Sequence, residues 1–264
     1  MGEAKNILIK PISQKDASKV IRSLHYSGKV VQNSKLHLGV FYKGKCGGAL
    51  QFGPSLDKRK MISLVKGTKW NEFIELNRMA LADWLPRNGE SRAIGYCMRF
   101  LRKQYPHLKW VVSFSDGTQC GDGIIYRASG FVLTGVKKNN QIWVAPSGQK
   151  FSRMSLTDGR SKKEQSKALS IASRTTLTKG KHVILGNGGA SMSKFVESGW
   201  KPLPGFQLRY LYFIDPKQRE NLTVPILPFS KIDEMGARMY KGEPSCGNSV
   251  NCTATSQVES DTEM

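Results

Sequence analysis

Three short groups of residues carry the chemistry open to this sequence. They are Ser115-Asp116 with Tyr126 ten positions past the aspartate, Arg78 in the run Glu75-Leu76-Asn77-Arg78, and the pair His25-Tyr26. A carboxylate or an imidazole can take a proton, an arginine orients an anion, and a tyrosine offers a hydroxyl and a ring face. As nitrogen and oxygen donors, His25 and Asp116 with either tyrosine would also suit iron. Each group has a plainer use as well. An isolated His-Tyr pair commonly packs and makes one hydrogen bond, and Arg78 could pair with a surface acid.

The surrounding pattern places these groups on elements. Trp110 to Phe114 is a run of aromatic and β-branched residues ending in Ser115-Asp116-Gly117, which predicts a buried strand entering a turn. Ile124, Ile125 and Ala128 predict a short helix with an apolar face, Gly130 its stop, and Phe131-Val132-Leu133 another strand. Ser115 and Asp116 then sit at the carboxyl end of a strand with Tyr126 on the helix facing them. Open α/β sheets bind ligands outside such ends. Upstream, Ser13 caps a helix in which Ala17, Val20, Ile21 and Leu24 recur at helical spacing, and the chain runs into His25-Tyr26 before Gly28. Leu38 to Tyr42 and Cys46 to Phe52 read as a hairpin about Lys43-Gly44-Lys45, with Gly47-Gly48 marking a bulge or a close backbone approach. The alternating centre of Asn71 to Ala80 reads as a half-buried strand. Pro86 to Arg92 is a polar loop entering a helix with Ile94, Met98 and Leu101 on one face. Such a loop is a natural phosphate site, or an ordinary connection capped by Ser91.

Charge dominates the composition. The 264 residues hold 41 Lys and Arg against 20 Asp and Glu, a formal net charge of +21. Four of the acids lie from Glu243 onward, where there is no Lys or Arg, so the rest of the chain is more basic still. Such an excess favours a polyanion, because each neutralised phosphate releases counterions. Eleven Lys and Arg fall between Lys137 and Lys181 against Asp158 and Glu164, in a stretch rich in Ser and Thr. It reads as an insertion without a large core of its own, suited to tracking a phosphate backbone. Ser166 to Ser173 predicts a short helix, His182 to Leu185 a strand, and Gln207 to Ile214, apolar on both faces, a strand buried in the main sheet. The five cysteines are scattered and form no CxxC pair, which suggests neither a disulfide framework nor zinc. No apolar run approaches the ~18 residues of a membrane span, and the first ten residues lack a signal peptide's apolar core. These features predict a cytoplasmic protein with no membrane partner.

The order of elements, a glycine loop before the central helix, and Tyr126-Arg127-Ala128-Ser129-Gly130-Phe131 resemble the GNAT acyltransferase fold. More closely, His25-Tyr26, Glu75-Leu76-Asn77-Arg78, Ser115-Asp116 and Tyr126, in that order, resemble the phage Mom family, which converts adenine in DNA to an N6-carbamoylmethyl (acetamido) form. The resemblance covers about residues 5–135 and the strand near 207–214. It implies an α/β (α+β) fold with a GNAT-like mixed, mostly antiparallel central sheet flanked by helices and a basic insertion before the last strand. The expected divisions are a catalytic core over 1–136, a DNA-binding lobe over 137–205, a strand completing the core and its extension over 206–242, and a disordered acidic tail over 243–264.

By resemblance His25, Tyr26, Arg78, Asp116 and Tyr126 are active-site residues. Asp116 or His25 would be the base, Arg78 the partner of an anionic group, and Tyr26 or Tyr126 a platform for an extruded adenine. Arg87, Asn88, Gly89, Ser91 and Arg92 correspond to the loop that holds the pyrophosphate of acetyl-CoA or another acyl-CoA. Where an ordinary GNAT protein shows Q/R-x-x-G-x-G/A, this chain has Arg87-Asn88-Gly89-Glu90-Ser91. Iron at His25 and Asp116 is the competing cofactor. Double-stranded DNA would lie on Lys137, Lys138, Arg160, Lys162, Lys163, Lys167 and Arg174, and the enzyme would shield phage DNA from restriction in the host cytoplasm. Monomer and homodimer remain open. So do two rivals: a conventional GNAT acetyltransferase acting on RNA, protein or a small amine, and a DNA-binding protein without catalysis.

Glutamine at Lys162, Lys163 and Lys167 together is expected to weaken DNA binding and to flatten its salt dependence, by up to about 0.9 in slope for each phosphate no longer neutralised. A salt titration with an unchanged slope would show that the insertion does not carry the DNA.

Overall fold

Capping and turn chemistry set the first half of the fold. The computed structural model describes residues 2–153, 156, 192–240 and 243–244. Strand β1 (Leu8–Pro11) leads to helix α1 (Gln14–Leu24), whose first turn is closed by Ser13 Oγ accepting the Asp16 N–H at 3.1 Å. Strands β2 (Leu36–Tyr42) and β3 (Lys45–Gly53) are joined by Lys43 and Gly44, with φ of 49° and 77°. Two left-handed residues in succession match the twist of a hairpin. Val40 pairs with Gly48 and Phe41 with Cys46, so Gly47 is the extra residue of a bulge, as the glycine pair predicts.

Helix α2 (Lys58–Ile62), strand β4 (Phe73–Leu81), helix α3 (Gly89–Gln104) and strand β5 (Trp110–Asp116) follow. Two short helices, α4 (Gly117–Cys120) and α5 (Ile124–Ala128), precede β6 (Val132–Asn139). The chain then leaves the main sheet through β7 (Ile142–Val144) and β8 (Lys150–Ser152). It returns by α6 (Met192–Glu197), β9 (Lys201–Pro202) and β10 (Gly205–Phe213), with α7 (Ser230–Glu234) beyond.

Seven strands form one sheet in the order β1-β2-β3-β4-β5-β10-β6. Only β4 and β5 run parallel, so the sheet is mixed and mostly antiparallel, as expected. On one face Ile94, Cys97, Met98 and Leu101 of α3 pack with Leu50, Phe52, Leu76, Val111 and Leu208. On the other, Ala17 and Ile21 of α1 pack with Ala49 and Ala80, and Leu64 and Val65 cover Phe73, Trp110, Val112 and Leu211. Strands β8, β7 and β9 make a separate small sheet beside a cluster of Trp143, Ala145, Leu156, Phe195 and Trp200. The aromatic residues at the two ends of the basic insertion therefore do pack, although its composition predicted no large core.

Three local expectations differ. Helix α3 starts at Gly89, so Ser91 lies inside the first turn, where its hydroxyl donates to Asn88 O at 3.2 Å, and does not cap the helix. In α5 the buried residue is Tyr126, while Ile124 is 56% exposed and Ala128 is exposed too. A two-turn apolar pattern cannot be tested on so short a helix, and Tyr210 and Phe131 claim the tyrosine instead. Glu243–Pro244 pair with Met239–Tyr240, which carries strand structure into the stretch read as tail. Arg160, Lys162, Lys163, Lys167, Arg174, the Ser166–Ser173 helix, the His182–Leu185 strand and the tail from 245 lie outside the described residues. Among the described residues, no helix is long and apolar enough to cross a membrane.

Gly123 holds φ at 70°, and a Cβ there would lie 2.7 Å from the buried Tyr210 ring. Gly123→Ala combines a left-handed penalty with overpacking and is expected to cost about 2–4 kcal/mol. Urea unfolding checks this, and an unshifted midpoint would contradict it.

Candidate active site

The site is built where two parallel strands stop pairing. Leu76 opposite Ser113 is the last pair between β4 and β5, although both strands run on. Beyond that point β4 keeps β3 as its neighbour and β5 keeps β10, with Gln207 opposite Asp116. The sheet opens between them, and the carboxyl end of β5 stands in the opening. A bulge shapes the other wall. Gln51 pairs with Arg78 and Phe52 with Leu76, so Asn77 is the extra residue of β4. Side chains alternate along a strand, and one inserted residue brings Glu75 and Arg78 to the same face.

Asp116 is held from two sides. Its Oδ1 accepts the Thr118 N–H at 3.0 Å, which caps α4, and its Oδ2 accepts from the Tyr26 hydroxyl at 3.3 Å. Tyr26 is 53% exposed, and its ring lies 4.3 Å from that of His25, with 30° between the planes. His25 ends α1. Its Nδ1 accepts the Ser27 N–H at 3.1 Å and lies 2.8 Å from Ser27 Oγ. A backbone N–H can only donate, so the neutral ring carries its proton on Nε2. Burial, with the Arg78 guanidinium adding to it, lowers the imidazole to about 4. At neutral pH His25 is therefore a hydrogen-bond donor with no charge, and Asp116 is the better placed of the two expected bases.

Arg78 donates through Nε to Lys29 O at 3.3 Å and through Nη1 to Asn77 O at 2.8 Å, so two carbonyls fix its plane. Burial holds the Glu75 carboxyl above the usual carboxylate range, against hydrogen bonds from Ser55, Asn77 and the Leu56 N–H and the charge of Arg78. Tyr126 is buried, 7% exposed, and stacks on Tyr210 at 5.1 Å, while its hydroxyl accepts from Ser113 Oγ at 2.9 Å. Its ring is thus unavailable as a platform for a base. Its hydroxyl stands beside the last paired residue of β5.

His25, Tyr26, Arg78, Asp116 and Tyr126 line one cavity of about 1500 Å³, together with Glu75, Asn77 and Ser115. Lys137 and Lys138 of β6 and Lys150 and Phe151 of β8 line it as well. Five residues spread over a hundred positions are brought to one place. Glu75 and Asn77 were visible only as the neighbours of Arg78 on a strand. Lys150 was visible only as one cation of the basic stretch, and Ser113 and Phe151 carried no signal, since a serine inside a buried strand and a phenylalanine in a polar stretch have no pattern that marks a site.

A family model described as the Mom protein family matches residues 6–231. The chain belongs to that family. Over 133 residues it is 42% identical to the methylcarbamoylase mom of Escherichia phage Mu, a stretch covering 50% of this chain and 55% of the phage protein, so the match spans about half the length of that relative. Among solved structures it is similar to an acetyltransferase of Bacillus subtilis in complex with CoA, at 8% identity and a TM-score of 0.40 over 79% of this chain and 97% of that one. It is also similar to NAA60 of Arabidopsis thaliana in complex with a bisubstrate analogue, at 11% identity and a TM-score of 0.44 over 78% and 97%.

Neither expected cofactor finds a ready site in this Mom family member. Of residues 87–92 only Glu90 lines the cavity. A Cβ at Gly89 would meet Ile7 Cδ1 at 3.1 Å, so the glycine serves packing against that side chain, and Glu90 puts an acid in the first turn of α3, where it opposes a diphosphate. The Arg92 guanidinium donates to Lys5 O at 3.2 Å. This stretch does not fit the pyrophosphate of an acyl-CoA. Among the described residues no three His, Cys, Asp or Glu side chains are grouped to hold a metal. Of the ligand set expected for iron, His25 has its Nδ1 bonded to Ser27 and Asp116 has one donor on each oxygen, from Thr118 and Tyr26.

A histidine lowered from 6.5 to about 4 contributes stability that is complete above 6.5 and is lost as pH falls towards 4, because the unfolded chain takes up the proton first. Denaturant unfolding of the protein and of His25→Gln across that window is expected to show the steeper loss in the protein. Parallel profiles would contradict the burial of a neutral imidazole.

Proposed function

We propose that this protein modifies adenine in double-stranded DNA, replacing one N6 hydrogen with a carbamoylmethyl group. The observation that carries the reading is the single cavity in which Tyr26, His25, Arg78 and Asp116 converge behind a basic rim. Membership in the Mom family and the likeness to a phage methylcarbamoylase supply the product. A base inside a duplex is out of reach of such a cavity, so the adenine must be extruded. The cavity has ample room for one nucleotide, and the exposed ring of Tyr26 is a surface on which the purine can stack.

The N6 lone pair is delocalised into the ring, so the amine needs help at the moment of attack. As N6 forms its bond to the methylene carbon of the donor, the leaving group departs with the bonding pair and N6 must lose a proton. Asp116, oriented by Thr118 and Tyr26, receives that proton. Arg78 and the Nε2–H of His25 offer donors to negative charge developing on the leaving group or the amide oxygen. The neutral state of His25 keeps it from repelling Arg78. An acyl-CoA thioester lacks a cradle at 87–92, and none of these roles uses one. Acting on DNA in the host cytoplasm, the modification would shield the DNA from restriction endonucleases.

Mass spectrometry of nucleosides from DNA of cells making the protein is expected to reveal a deoxyadenosine heavier by one carbamoylmethyl group. Asp116→Ala should lower its yield by about 10²–10⁴ with DNA binding retained, the range for loss of a general base. Unmodified DNA beside abundant folded protein, with label entering RNA or protein instead, would move the activity to another acceptor.

A further inference from the structure

Leu56 is the most exposed large apolar residue among those described, at 83%, and it lines the mouth of the cavity. Its backbone is not loose. The Leu56 N–H and the buried Ser55 hydroxyl both donate to the Glu75 carboxylate on β4, and Asp57 caps α2 by accepting the Lys60 N–H at 3.4 Å. A side chain thrust into water from a backbone pinned on both sides is poorly explained by the fold. The residues that follow are Lys58, whose Nζ lies over the Trp70 ring, Arg59, and Lys60, which pairs with Asp57, and Lys137, Lys138 and Lys150 line the same cavity as Leu56. An apolar tip with cations on its own segment and more in the lining of the same cavity is complementary to a duplex, with phosphates on the outside and stacked bases within.

We propose that Leu56 is a wedge that enters the base stack of double-stranded DNA and holds open the place the extruded nucleotide has left. This rests on the DNA-modification reading and deepens it by assigning how the cavity gains its substrate. Apolar side chains inserted between base steps offset part of the lost stacking and kink the duplex, and phosphate contacts on either side hold the kink. Tyr26 does not fill that role, because its hydroxyl is tied to Asp116 and its ring lies on His25 inside the cavity. Ile124 also lines the cavity and its N–H is likewise held by a carboxylate, that of Asp122, but it is less exposed, at 56%, and no cationic run follows it. Ile124 is therefore the comparison residue.

The test uses permanganate, which oxidises thymines that have lost their stacking, on a mixed-sequence duplex with and without bound protein. The full-length protein is expected to produce reactive thymines. Leu56→Ala should bind the duplex with its thermal midpoint unchanged but lower that reactivity by about ten-fold or more, and Leu56→Phe should restore it. In the modification assay, the Leu56→Ala defect on paired DNA should shrink to about two-fold when the target adenine sits in an A·C mismatch, since an unpaired base costs less to extrude. Full reactivity in Leu56→Ala, loss in Ile124→Ala alone, or no reactive thymine with the protein bound would each overturn the wedge. Leu56-dependent opening of DNA that mass spectrometry finds unmodified would instead leave the wedge standing and remove the modification chemistry.

Discussion

Everything proposed for this molecule depends on the point at which β4 and β5 cease to be neighbours. A parallel pair of strands continuing side by side would bury its backbone groups in ladder bonds and leave no room between them. Here the pairing ends at Leu76 and Ser113, while β3 on the outer edge of β4 and β10 on the outer edge of β5 keep both strands in the sheet. β10 returns from the insertion to lie against the far edge of β5 and holds that strand in the sheet after β4 has left it. The chain entering the insertion is part of the site, because Lys137, Lys138, Lys150 and Phe151 line the cavity.

The opening is lined by groups whose states follow from their neighbours. The Asn77 bulge turns Glu75 and Arg78 to one face, and the guanidinium is then near enough to His25 to help suppress its protonation. Tyr26 bridges the two halves of the chain by its contact with Asp116, ninety positions away in sequence. The result is a chamber in which a neutral imidazole, an arginine fixed by carbonyls and the Asp116 carboxylate with both oxygens engaged stand together, with Glu75 on the same wall as the arginine. Such a set can orient an anion and move a single proton.

Much of this was legible in the residues themselves, for local reasons. Ser13 capping α1, Lys43-Gly44 turning the hairpin, Gly47 bulging β3 and the doubly apolar β10 all express preferences that act over a few positions. The joint order of His25-Tyr26, Arg78, Ser115-Asp116 and Tyr126 identified which residues to watch. What escaped reading was set by long-range packing. Tyr126 was read as a ring facing Asp116 that could take the extruded base, yet Tyr210, contributed by a strand that follows the whole insertion, buries it. Ser91 looked like a cap, yet the helix begins two residues earlier, with Asn88 at φ of 66°. The bulge at Asn77 has no glycine to mark it, and the loop at 87–92 shows only through Ile7 that its glycine serves the core.

The central claim is that an adenine leaves the duplex and enters the chamber between β4 and β5. Photo-crosslinking tests it directly, with 8-azidoadenine placed in duplex DNA and the attached peptides sequenced. Cross-links on the peptides carrying Tyr26, Arg78 and Phe114–Asp116, reduced by Tyr26→Ala, are the predicted result. Cross-links confined to the lysine-bearing rim, with none on those three segments, would mean that the base never enters and would contradict the account.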